Sequence, residues 1–176
     1  MRSARPHILL VTPGFPADEQ DSLCIPPVQL LLREFSARKP DVRLSVLALH
    51  YPTKKRRYQW FGLEVRAIGA ANRQWPFRLV HLLRASRAAA SLGADHPVTL
   101  VHSLWLTDAA ATAWWIARGM NCRLSLTAMG QDVLPDNPYL NRLARSSASL
   151  VTISERSGDL LRESTGRGPD AVIPWG

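Results

Sequence analysis

Along this chain, apolar runs of strand length alternate with stretches whose apolar residues recur at helical spacing. Residues 7–12 form a nearly continuous apolar run, and Pro13-Gly14 ends it. After a polar loop, Val28, Leu31, Leu32 and Phe35 fall at i, i+3, i+4 and i+7, which is one face of a helix. Pro26-Pro27 suits the first turn of that helix and Pro40 stops it. Residues 43–49, 64–68, 98–102, 123–127, 150–153 and 171–173 also read as strands. The helices between them are predicted over 75–92, with Pro76 near its start and Gly93 at its end, and over 106–117, with Gly119 just beyond. A short helix over 137–145 follows, then one capped by Ser154 and running to about Thr165. Residues 51–61 show no clear element.

Strand then helix, repeated, predicts an α/β domain: a Rossmann-like α/β/α sandwich with a mostly parallel sheet. The strands are apolar throughout, as a sheet covered on both faces requires. The whole length, 1–176, reads as one such domain, without internal repeats or low-complexity tracts. In these sheets ligands sit at the carboxyl ends of the strands, near the point where strand order reverses. That directs attention to residues 13–16, 103–105 and 128–132, and to the helix start at 154–157.

Composition narrows the class. No apolar run approaches the roughly 20 residues of a membrane-spanning helix, and the run after Pro6 is too short for the core of a signal peptide. The chain is expected in the cytoplasm, or peripherally at the inner face of the membrane. Cys24 and Cys122 have no second cysteine or histidine at ligand spacing, so neither a disulfide framework nor a metal site is expected. The formal charge of +8 comes from 22 basic and 14 acidic residues, and four of those charges stand together at Lys54, Lys55, Arg56 and Arg57. A basic balance points to an anionic partner.

The usual nucleotide motifs are absent: no G-x-G-x-x-G follows the first strand, and there is no G-x-x-x-x-G-K-[ST]. Four other segments stand out, in order: ILLVTPGFP; VHSLWLTDAAATAWWIARGMNCRLSLTAMGQDV; ASLVTISERSGDLLRESTG; and AVIPWG. Together they resemble the N-terminal half of GT-B glycosyltransferases of the large retaining family 4. "AVIPWG" is similar to the family's closing motif, which leads into the hinge between two halves. The resemblance implies a parent enzyme that moves a sugar from a nucleotide-sugar donor to an acceptor. It implies that a C-terminal domain, absent from this chain, holds the donor through a two-glutamate motif. On this expectation these residues form the acceptor side of the cleft, are inactive alone and require no cofactor or metal. The chain departs from the family in three places. Residues 21–26 contain no glycine where a Gly-Gly pair often precedes the first helix, Met129 stands where many relatives have His, and Trp175 replaces an Asn.

The candidate cleft residues are Gly14, Phe15, Asp18, His102, Trp105, Gly130 and Asp132. A glycine after the first strand lets backbone approach a ligand, or simply makes a turn. His102, at the predicted end of its strand, either reaches into the cleft or is packed. Asp132 either bonds an acceptor hydroxyl, orients its loop, or caps the next segment. Ser154 lacks a nucleophile-elbow setting and reads as a helix cap. Lys54, Lys55, Arg56 and Arg57, with Trp60 close behind, suit an anionic membrane surface or a charged glycolipid. Single-stranded nucleic acid is a less favoured partner for the same mixture. A free-standing Rossmann-type module for a nucleotide or an anionic membrane surface is the alternative to the transferase reading.

Overall fold

A computed structural model describes residues 5–69 and 77–174. Its strands are β1 (His7–Gly14), β2 (Arg43–Tyr51), β3 (Arg56–Trp60), β4 (Leu63–Ala67), β5 (Leu100–Leu104), β6 (Arg123–Ala128), β7 (Ser149–Thr152) and β8 (Ala171–Val172). Its helices are α1 (Pro26–Arg38), α2 (Phe77–Leu92), α3 (Asp108–Met120), α4 (Leu140–Ala144) and α5 (Glu155–Thr165). A single 3-10 turn, Gln131–Val133, precedes α4. The predicted start of α2 at Trp75-Pro76, and Trp175 of the closing motif, lie outside the described residues.

The strands form one sheet in the order β3-β4-β2-β1-β5-β6-β7-β8. Every pairing is parallel except that of β3 with β4. Along β1, Leu9 and Val11 enter one apolar cluster with Ala85 and Ala89 of α2 and Ala113 and Ile116 of α3. Leu10, between them, enters a second cluster with Val28 and Leu32 of α1. This period of two buries both faces of the sheet and makes the sandwich. A third cluster joins Leu126 and Leu150 to Leu140 and Leu143 of α4 and Leu161 of α5. Chain order runs outward from β1 to one side, then crosses through α2 to β5 on the other. The reversal therefore falls between β1 and β5.

Three expectations need correction. Residues 51–61 are not without structure, because β3 forms a hairpin with β4. Its two-residue turn, Phe61-Gly62, has φ 43° and 79°, the paired left-handed geometry that matches strand twist. The strand predicted over 98–102 lies two residues later, so His102 is in the middle of β5 rather than at its end. Finally, α3 runs past Gly119 and ends at Asn121, which adopts the left-handed conformation in place of a glycine.

Candidate functional site

The loops after β1, β2, β5 and β6 gather at the carboxyl edge of the sheet. Between the β5 and β6 loops lies an open cleft of about 610 Å³, lined by Trp105, Thr107, Met129, Gln131, Asp132 and Tyr139 among others. Its walls are tied together by Asp132. One carboxylate oxygen accepts from the Leu106 N–H at 2.7 Å, the other from the Met129 N–H at 2.8 Å. Asn137 completes the clamp by donating to the Leu106 and Asp132 carbonyls. Burial raises the Asp132 pKa, and the two N–H donors partly counter it. Through these bonds Asp132 holds the loops after β5 and β6 together. Gly130, at φ 102°, makes the turn before the 3-10 helix, in a region that side-chain-bearing residues avoid.

Trp105 has φ 66° directly after β5, a rare state for a bulky residue that costs on the order of 1–2 kcal/mol. Its N–H donates to the Thr127 carbonyl, and its ring packs against the α1-side cluster while lining the cleft. The hydrogen bond to β6 and the packing against that cluster hold the outlier in place.

Other candidates lie elsewhere. Phe15 is fully buried, edge-on to Trp60 with ring centroids 4.9 Å apart, and belongs to the core rather than the cleft. Gly14 is buried too, with Tyr51, Cys24 and Ile25 closing over it. Asp18 is exposed and accepts from the Gln20 and Asp21 N–H groups in a local turn. His102 is paired in register with Leu10 and Ser125 and is mostly buried, and burial lowers its pKa to about 4. It is neutral, and it does not line the cleft.

The basic stretch also separates. Arg57 bonds Glu64 at 2.8 Å, and Arg56 lies 4.5 Å from the Tyr58 ring centroid. Trp60 is fully buried, so it is a core anchor of the hairpin and not a membrane contact. Lys54 and Lys55 stay exposed in the preceding turn.

The sequence reading missed one feature and marked a second only by its lack of glycine. At the end of β2, His50 Nε2 lies 2.8 Å from Asp108 Oδ2 at the start of α3. Both are partly exposed, at the edge where ligands of such sheets bind. These residues are 58 positions apart, so only the fold unites them. The second feature is the start of α1. Ile25, its cap, holds φ 52°, the backbone state a glycine would normally supply. Pro26 and Pro27 have no N–H, and the Val28 and Gln29 N–H groups both bond the Ile25 carbonyl. The Gln29 side chain is spent on the Asp21 and Cys24 carbonyls. Asp21 pins the loop before it by accepting from Ala17, Cys24 and the Tyr51 hydroxyl. The helix end beside β1, where dinucleotide-binding folds seat a phosphate, thus offers no donor from its first four residues.

No family model and no curated protein matches the chain. Solved structures do. Sucrose-phosphate synthase from Thermosynechococcus elongatus superposes with a TM-score of 0.68 at 12% identity, over 97% of this chain and 48% of that one. The likeness is one of fold: this domain has the Rossmann-like α/β architecture of the GT-B domains in such structures. A ugt transferase from Siraitia grosvenorii in complex with UDP follows at TM-score 0.53 and 9% identity, over 95% of this chain and 47% of that one. Arabidopsis thaliana UGT89C1 complexed with UDP gives 0.50 and 11%, over 94% and 46%. The chain therefore spans about half the length of these neighbouring chains. Among the described residues no group of three or more His, Cys, Asp or Glu is placed to hold a metal ion, and no helix is long and apolar enough to cross a membrane.

Proposed function

We propose that this domain is the acceptor-side half of a sugar-transferring cleft, working with a second domain that carries a nucleotide-sugar donor. The observation that carries this reading is the start of α1: a GT-B half without phosphate donors beside β1 is poorly built to hold a diphosphate itself. The cleft between Trp105 and Gln131 suits an acceptor, since it combines an aromatic wall with polar side chains. The His50–Asp108 pair supports proton handling at the same edge, because a carboxylate at hydrogen-bond distance orients an imidazole. Closing two domains over this edge would exclude water and align donor with acceptor. Retention of family 4 stereochemistry, cytoplasmic residence and inactivity of the isolated domain belong to the same proposal.

The test joins this domain to a GT-B donor domain and measures both Michaelis constants. Gln131→Ala and Trp105→Ala should raise the acceptor KM and leave the donor KM unchanged, whereas His50→Gln should lower kcat. A rise in donor KM alone would sink the assignment. The free-standing nucleotide module predicts instead that UDP binds this chain by itself, with a preference for one base.

A further inference from the structure

At the opposite edge of the sheet, by the amino ends of β5, β6 and β7, lies a larger open cavity of about 1130 Å³. Four arginines line it: Arg118 from α3, Arg123 from β6, Arg142 from α4, and Arg145 just after α4. They come from separate elements, so their convergence is a product of the fold. Among the described residues no carboxylate lines this cavity, and none of the four arginines has an ion-pair partner. Elsewhere in the chain arginines do find carboxylates, as Arg43 and Arg57 do with Glu64.

The cavity is also held in shape. The Arg142 and Arg118 guanidiniums lie 4.7 and 5.2 Å from the Trp114 ring centroid, so that indole fixes two of the cations. Arg167 donates to the carbonyls of Ala144, Ser146 and Ala148, all at 2.9 Å. This bonds the 144–148 backbone from behind and leaves the Arg145 side chain on the cavity side. Ser147 and Ser149 add exposed hydroxyl donors. The carbonyl ends of α3 and α4 offset part of the charge, but a helix end carries only about half a unit. Four cations against two such ends leave a strongly positive cavity.

We propose that this cavity is a binding site for a small soluble anion carrying two or more phosphates, separate from the cleft and independent of the transferase reading. Arginine forks match phosphate oxygens bidentately, and serine hydroxyls supply further donors. A concave, arginine- and serine-lined space favours a small polyphosphate over a lipid surface. Single-stranded nucleic acid would need an open aromatic face, and Trp114 is already covered by guanidinium.

The experiment is calorimetric titration of this chain with tripolyphosphate, at low and near-physiological salt. We expect one site per chain, weakened roughly tenfold or more by Arg142→Gln/Arg145→Gln and by Arg118→Gln/Arg123→Gln. Lys54→Gln/Lys55→Gln removes the same charge elsewhere and should leave binding unchanged. Arg142→Lys should weaken it less than the glutamine variants, and thermal melts show that each variant is folded. The assignment is overturned if binding never saturates, or if the lysine variant weakens it as much as the arginine variants do. It is also overturned if phosphatidylglycerol vesicles or a short oligonucleotide bind through these arginines and tripolyphosphate does not displace them. Nucleotides add a cross-check: at this cavity UDP, ADP and pyrophosphate should differ little, since only phosphate is read.

Discussion

His102 shows how one buried side chain writes a pH dependence into the fold. Burial lowers its pKa to about 4, against an ordinary 6.5. The unfolded chain therefore takes up the proton first as pH falls. Stability is fully present above about pH 6.5 and is lost progressively as pH falls through 4, by about 3 kcal/mol over the full window. His7 acts with the same sign. It is fully buried, donating from Nδ1 to the His96 carbonyl and accepting from the Ser45 hydroxyl, and desolvation lowers its pKa. Asp132, whose pKa is raised, acts oppositely: its contribution is present at low pH and fades as pH rises through its folded value. Urea denaturation at stepped pH should show His102→Gln losing less stability than the parent between pH 6.5 and 4; parallel curves would refute this account. Gly130 gives a second residue-scale expectation. Nothing lies within 4 Å of a Cβ placed there, so Gly130→Ala tests φ 102° alone. It should cost about 1–3 kcal/mol in the same denaturation measurement.

The β3–β4 hairpin is the element on which sequence and structure part. Its register sets Trp60 opposite Leu63 and Arg57 opposite Arg66. Its anchor is Trp60, packed between Phe15 and Phe61, each with ring centroids 4.9 Å away. The four cations masked this pattern, because a charge run reads as solvated loop. The turn was also hard to see. A left-handed Phe61 is rare, and distant partners hold it here: its N–H donates to Glu19, and Arg33 lies 4.6 Å from its ring centroid. Most other elements were legible because period and punctuation agreed, as for α1 with Pro26-Pro27 at its start and α5 with its Ser154 cap; β1, by contrast, runs through the Pro13-Gly14 expected to end it, with a register shift after Thr12. Trp60→Ala should cost about 3–5 kcal/mol, as removal of a large core aromatic does. Lys54→Gln/Lys55→Gln should stay within about 0.5 kcal/mol, as exposed substitutions do. Equal losses on thermal melting would return the stretch to the surface role first expected of it.

At the scale of the whole molecule, the two edges of the sheet differ in chemistry: the carboxyl edge holds the Trp105–Gln131 cleft and the amino edge the arginine-lined cavity. The carboxyl edge was legible in outline, since the loops at 13–16, 103–105 and 128–132 were placed there by strand order alone. What no local pattern carried was the pairing of His50 with Asp108, the strain at Trp105, or the convergence of four arginines, for each joins residues that only the sheet topology brings together. The two edges make separable predictions about nucleotides. With Pro26 and Pro27 lacking N–H groups, and Val28 and Gln29 bonded to Ile25, no phosphate should dock at the start of α1. Any nucleotide that this chain binds should therefore be held through phosphate at the amino edge. Arg142→Gln/Arg145→Gln should abolish that binding, and Asp132→Asn should leave it intact. Chemical-shift mapping with UDP decides the matter. Perturbations at Arg118, Arg142 and Ser149 fit the arrangement described. Perturbations at Gly14, Ile25 and Val28, dependent on the uracil base, would mean that the loop after β1 rearranges to bind a nucleotide. The acceptor-side reading would then fall, while the arginine cavity would stand or fall on tripolyphosphate alone.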